Sequence, residues 1–241
     1  MNVKIAGNFT QYLEAEMPPN ETLISEAGAM TYYEDGINME VHILENGLTG
    51  LLKRLFSGEG ISLVTFVNKT NEIKKLVLSS NAVIHSIKID DYSNELICAK
   101  TSFFASTKEI SIGLDIDKNI LSGLFGGLGI IRQKIKGKGT VFLKGFGEVK
   151  KIEVNGNKII LDSAAILAFT KNISFTSNLS NPIKNIMAGE GGSKEEISGF
   201  GTLWIQCYND PVKSSPILNT TSYIYIFGII IFIIYSIFSA W

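Results

Sequence analysis

Gly58-Glu59-Gly60-Ile61-Ser62-Leu63-Val64-Thr65-Phe66 is a pair of glycines followed at once by β-branched and aromatic residues, and the chain writes a version of it three times. The second copy is Gly137-Lys138-Gly139-Thr140-Val141-Phe142-Leu143, and the third is Gly199-Phe200-Gly201-Thr202-Leu203-Trp204-Ile205. Glycine at both places lets the backbone take a positive φ or a bulge just before a strand begins. The residues that follow have high strand propensity. The triplication points to an architecture of repeated β units and to no particular reaction.

The segments ahead of these motifs supply a period. Ile24-Ser25-Glu26-Ala27-Gly28-Ala29-Met30 aligns with Ile97 to Phe103 and with Leu161 to Leu167, each an aliphatic residue followed six positions later by a large apolar one. The starts are 73 and then 64 residues apart. Units of that size are supersecondary modules that bury their apolar faces against one another. The expected organisation is an all-β domain over residues 1–208, in repeats of about 1–70, 71–150 and 151–208. Residues 1–24 read as two short strands with a turn at Pro18-Pro19-Asn20-Glu21, Ile73–Leu78 and Ile84–Ile89 as strands, and Asn155-Gly156 as a hairpin turn. Glu26, Gly28, Gly58, Glu59, Gly60, Gly137, Gly139, Gly199 and Gly201 are the turn-forming set, with Glu26 and Glu59 placed to accept backbone N–H groups.

Leu48, Leu51, Leu52, Leu55 and Phe56 recur at helical spacing, with Lys53 and Arg54 off that face. This amphipathic stretch is the candidate membrane or partner contact; its ordinary role would be to close one end of the β core. A weaker version, Leu121, Leu124, Phe125 and Leu128, is interrupted by glycines, and Ile183, Ile186 and Met187 form a stub in the third unit.

A net charge of −1 gives no footprint for nucleic acid. The first thirty residues show no signal peptide. The other end differs: after Lys213 no charged residue occurs, and Tyr223 to Trp241 reads YIYIFGIIIFIIYSIFSAW. As a helix this run would be about 28 Å long, the thickness of a bilayer's hydrocarbon. Its Ile and Phe residues favour insertion by roughly 5 kcal/mol. The expectation is a linker at 209–222 and a single-pass anchor at 223–241 in the cell membrane. Lys213 then puts the β part on the cytoplasmic side.

The usual chemistry-bearing patterns are not written. His42 and His85 lack ligand spacing, Cys98 and Cys207 lie in separate strand-like runs, and no nucleophile elbow occurs. The glycines at 123–129 and 189–194 carry no Walker sequence. Neither a catalytic residue, a cofactor nor a metal is expected. Six N-x-S/T sequons, among them Asn68-Lys69-Thr70, fit chance in an Asn- and Ser-rich chain.

Gln11-Tyr12-Leu13, Pro19-Asn20-Glu21, Glu26-Ala27-Gly28-Ala29-Met30, Lys53-Arg54 and Gly58-Glu59-Gly60, in that order, resemble the signature of the altered-inheritance-of-mitochondria protein 24 family over about residues 1–208. The resemblance implies three repeats like the trp RNA-binding attenuation protein, β-sandwich or double-stranded β-helix units about a pseudo-threefold axis. Mitochondrial relatives are implicated in inner-membrane organisation, and no catalytic activity is established for the family. The displaced Gly189-Glu190-Gly191-Gly192 and the C-terminal apolar run depart from its common prokaryotic form. The combined expectation is a non-enzymatic, membrane-anchored scaffold that self-associates and has unknown protein partners. The alternative is a small-ligand or lipid-binding module, with a cleft between repeats lined by Tyr32, Phe103 and Phe169.

Overall fold

Strict alternation in Tyr12–Met17 sends Leu13, Ala15 and Met17 inward and leaves Tyr12, Glu14 and Glu16 half-exposed, as a strand with one buried face requires. The same physics builds the rest of the molecule, seen in a computed structural model that describes residues 1–8, 10–43, 62–99, 101–107, 110–116, 131–178 and 194–208. The chain runs through β1 (Asn2–Ala6), β2 (Tyr12–Met17), β3 (Thr22–Glu26), β4 (Met30–Tyr33), β5 (Ile37–Ile43) and β6 (Ser62–Asn68). It continues with β7 (Lys74–Ser79), β8 (Val83–Lys88), β9 (Glu95–Ala99), β10 (Phe103–Ser106), β11 (Ile110–Ile116) and β12 (Ile131–Gly137). The last strands are β13 (Thr140–Gly145), β14 (Val149–Asn155), β15 (Ile159–Asp162), β16 (Ile166–Phe169), β17 (Ile173–Asn178) and β18 (Lys194–Gln206). Short 3-10 turns at Ile89–Tyr92 and Ser163–Ala165 are the helical elements among the described residues, so the fold is all-β as expected.

One pairing scheme occurs three times. β6 lies between β3 and β5, β12 between β9 and β11, and residues 194–199 of β18 between β15 and β17. The chain then passes to a second sheet. β7 inserts between β2 and β4, β13 between β8 and β10, and residues 200–206 of β18 between β14 and β16. A β-bulge falls at matching places, between Met30 and Tyr32, Phe103 and Ala105, and Ile166 and Ala168. Two further ladders fuse successive units: β10 on β3, and β16 on β9.

Three apolar clusters fill the spaces between sheets. Leu13, Met17, Leu23, Phe66, Leu76, Leu78 and Phe104 centre the first. Leu96, Cys98, Phe103, Ile135, Leu143, Leu167 and Trp204 centre the second, and Phe169, Ile173, Ile197 and Leu203 the third. Strands at the fusions serve two clusters at once. In β13, Phe142 points to the first cluster while Val141 and Leu143 point to the second. Strands buried on both faces lose the period-2 pattern and read as continuous apolar runs.

This topology corrects the reading of the glycine motif. Ile37 pairs with Asn68, Ile110 with Gly137 and Ile173 with Gly199, so Gly137 and Gly199 correspond to Asn68. Gly58 and Gly60 precede β6 and stand one strand too early. The corner between sheets is made by Gly137 and Gly139 in one unit and by Gly199 and Gly201 in another. In the first it is made by Asn68, whose buried amide donates to the carbonyls of Met17 and Glu72 and whose oxygen accepts from Thr70. That amide is therefore committed to the fold, and the sequon at Asn68 offers no accessible acceptor. The expected hairpin at Asn155-Gly156 is a second correction: Gly156 does turn the chain at φ +84°, but β14 and β15 pair with different halves of β18 and not with each other.

Residues 1–24 hold three strands rather than the expected two: β1 and β2 pair across a turn between Ala6 and Tyr12, and the expected turn at Pro18 to Glu21 leads from β2 into β3, which pairs elsewhere. The compact unit spans Met1–Tyr208. Gly58, Glu59, Gly60, the amphipathic stretch Leu48 to Phe56, the Leu121–Leu128 and Ile183–Met187 segments and the apolar run 223–241 all lie outside the described residues. Among the described residues no helix is long and apolar enough to cross a membrane.

Gly199 sits at φ +112°, and a methyl group added there would overlap the carbonyl oxygen of Asn172. Gly28, at φ +84°, has no heavy atom within 4 Å of such a methyl. Gly199→Ala is therefore expected to cost about 1–3 kcal/mol beyond the left-handed backbone penalty that Gly28→Ala alone bears. Urea unfolding of the two variants checks the order; equal losses would contradict it.

Candidate functional site

The strongest concentration of buried polarity is an ion pair between successive units. Arg132 on β12 donates from Nη2 to Oε2 of Glu195 on β18 at 2.9 Å, with side chains 4% and 0% exposed. The guanidinium lies 4.2 Å from the Phe175 ring centroid and 5.1 Å from that of Phe169. Charge pairing and two aromatic faces together offset the desolvation that an isolated charge would suffer. Strand phase explains the placement. Glu195 and Ile197 are two residues apart and both fully buried, so the carboxylate occupies an inward position of its strand.

A second pair joins the first two units. Lys144 Nζ on β13 donates to both carboxylate oxygens of Glu26 on β3, at 2.6 and 2.7 Å. Burial holds the Glu26 carboxyl above the usual carboxylate range, only partly opposed by the hydrogen bond and charge of Lys144. Glu26 thus takes a lysine where backbone N–H groups were expected. Gln11, in the first stretch that carries the family resemblance, accepts from the Ile84 N–H at 2.7 Å through its side chain and from Ser80 N through its carbonyl.

The histidines and cysteines stand apart. His42 on β5 lies 3.9 Å from Glu40, in the open. His85 on β8 is half-buried, and burial lowers its pKa below the ordinary 6.5, opposed by the hydrogen bond its imidazole donates to the Gly147 backbone. Burial pushes the Cys98 thiol far up, so it is not a thiolate at neutral pH. Cys207 is exposed. Among the described residues no three His, Cys, Asp or Glu side chains gather as a metal site would require.

The expected cleft lining is not assembled. Phe103 is buried in the second cluster, Phe169 in the third, and Tyr32 is exposed on β4. A different opening, of about 610 Å³, lies between the N-terminal strand and the second unit, bordered by Met1, Val3, Ile5, Glu21, Thr140 and Phe142. Asn2, Ser86 and Thr107 complete its lining, so polar groups, the Glu21 carboxylate among them, share the surface with the apolar side chains.

The chain matches the family described as mitochondrial biogenesis AIM24 over residues 3–208. It belongs to that family. An uncharacterised protein of Streptococcus pyogenes serotype M6 is 22% identical over 204 residues, covering 82% of this chain and 81% of that protein. The crystal structure of a Streptococcus pyogenes protein superposes with a TM-score of 0.66 at 22% identity, covering 86% of this chain and 94% of the other. At that identity the likeness speaks for the fold alone.

The Arg132–Glu195 pair escaped the sequence because its members are 63 positions apart and each stands in a run that looks like a solvated strand. The inward phase of Glu195 relative to Ile197 is the one signal it left. Glu195→Gln should cost about 3–5 kcal/mol by taking the carboxylate charge away from a buried guanidinium, whereas Arg132→Met with Glu195→Leu should recover most of the loss. Chemical denaturation of the three proteins checks this. For His85, unfolding restores an ordinary imidazole that binds a proton more readily than the folded one. Its share of stability is complete above the unfolded pKa of about 6.5 and is lost as pH falls through and below it. Relative to His85→Gln, the parent protein should lose stability between pH 7 and pH 5; a constant difference across that range would contradict the burial effect.

Proposed function

We propose that this chain is a membrane-attached, non-enzymatic scaffold whose β unit is held at the cell membrane on the cytoplasmic side by a single-pass helix over residues 223–241. The observation that carries the proposal is the nineteen-residue run from Tyr223 to Trp241, free of charge and flanked by Tyr223, Tyr225 and Trp241 at its two ends. Membership of a family described by mitochondrial biogenesis is compatible with work at a membrane. The recurring ladder registers support reading the β unit as three repeats of the attenuation-protein kind; near-neutral charge gives that reading no RNA-binding component. Leu48, Leu51, Leu52, Lys53, Arg54, Leu55 and Phe56 add a second contact to the same surface in this reading, raising the local concentration of the β unit at lipid.

The opening beside Met1, Val3 and Phe142 favours a second reading, in which the unit holds a small amphipathic ligand. Native mass spectrometry of the purified protein separates the two: a stoichiometric small molecule supports the ligand reading, and its absence with co-purifying protein supports the scaffold.

Full-length protein is expected to stay with the membrane pellet after alkaline carbonate extraction, and a chain ending at Tyr208 to appear in the supernatant. Equal distribution of the two forms would overturn the anchor.

A further inference from the structure

Two ladders fuse the three units, and they share one register. Ala105 on β10 faces Ser25 on β3 and Ser106 faces Ile24; Ala168 on β16 faces Cys98 on β9 and Phe169 faces Ile97. The matching strands left over are β4, the counterpart of β10 and β16, and β15, the counterpart of β3 and β9. Among the described residues β4 pairs with β7 alone and β15 with β18 alone. Burial follows the pairing. All four residues of β10 and of β16 are buried, whereas all four of β4 are exposed, with Met30 at 42% and Tyr32 at 47%. The three central residues of β3 and of β9 are buried, whereas Ile160 in the middle of β15 is 64% exposed. The molecule thus carries the two halves of a ladder it makes twice, one half at each end of the series of units.

We propose that β4 of one copy pairs antiparallel with β15 of a second copy, continuing head to tail the ladder that already fuses the units within one chain. Transfer of the internal register sets Tyr32 against Asp162 and Tyr33 against Leu161. The hydrogen-bonding groups are aimed correctly. Glu34 N–H donates to Lys75 on β7 at 3.0 Å, as Thr107 N–H donates to Thr140 in the next unit. The N–H of Tyr33, one residue earlier, therefore faces the open edge, as Ser106 faces β3. An edge left unpaired among the described residues is a template for another strand, and exposed tyrosines are the residues that interfaces enrich. The contact uses different patches on the two copies, so it builds rings or open series rather than a closed dimer. It is independent of membrane attachment.

The test uses the full chain in mild detergent with Cys207→Ser throughout. Sedimentation should show species growing beyond a dimer with concentration, and Tyr33→Pro, which removes the outward donor together with the Tyr33 ring 6.1 Å from that of Phe66, should weaken assembly about tenfold or more with unchanged circular dichroism. Ile160→Lys on the other edge should do the same without touching the backbone. Mixing a Tyr32→Cys chain with an Asp162→Cys chain should give a disulfide-linked heterodimer on oxidation. A chain that stays monomeric at every concentration overturns the proposal. So does assembly indifferent to both edge variants, or a double-cysteine chain that closes on itself as a monomer.

Discussion

The antiparallel ladders of β10 on β3 and of β16 on β9 are the constraint from which the rest of the molecule follows. Each carries a sheet out of one unit and into the next, so its strands have an apolar cluster on both faces. Phe103 and Phe104 are neighbours in sequence, yet one belongs to the second cluster and the other to the first. Ile166 and Leu167 divide in the same way between the third and the second. Among the described residues each cluster draws side chains from more than one unit. Polar groups caught near these fusions have to find one another, as Arg132 finds Glu195 and Lys144 finds Glu26.

Where the chain passes between sheets, the backbone must bend sharply, and different residues solve the same problem. Gly199 adopts a backbone closed to side chains, with Asn172 too near to admit a methyl, while Asn68 closes the corresponding corner with its own amide. β18 runs through its corner without a break and serves both sheets along thirteen residues. The corner is a geometric requirement, and glycine is one of two ways of meeting it.

Much of this was legible in the sequence and some was not, for reasons that separate local from long-range information. The alignment of Ile24, Ile97 and Leu161 is met by β3, β9 and β15, because an aliphatic residue at a fixed phase records which face of a strand is buried. Gly58 to Gly60 misled because glycine pairs mark any bend before a strand, and nothing local says which strand follows. Asn155-Gly156 has the composition of a hairpin turn, but partner choice is decided by β18, some forty residues on. Tyr32, Phe103 and Phe169 hold related places in three units, and related places in a series of units are held apart by the series itself. The Arg132–Glu195 pair left only the inward phase of one carboxylate.

The claim at the centre is that the three units share their sheets and so open together. Native-state hydrogen exchange read at single amides tests it most directly. The amides of Ser106 and Phe169, at the two fusions, should exchange with the same opening free energy and the same urea dependence as those of Phe66, Leu96 and Leu203 in the three clusters. Three distinct opening free energies, one per cluster, with fusion amides that exchange ahead of all of them, would contradict it.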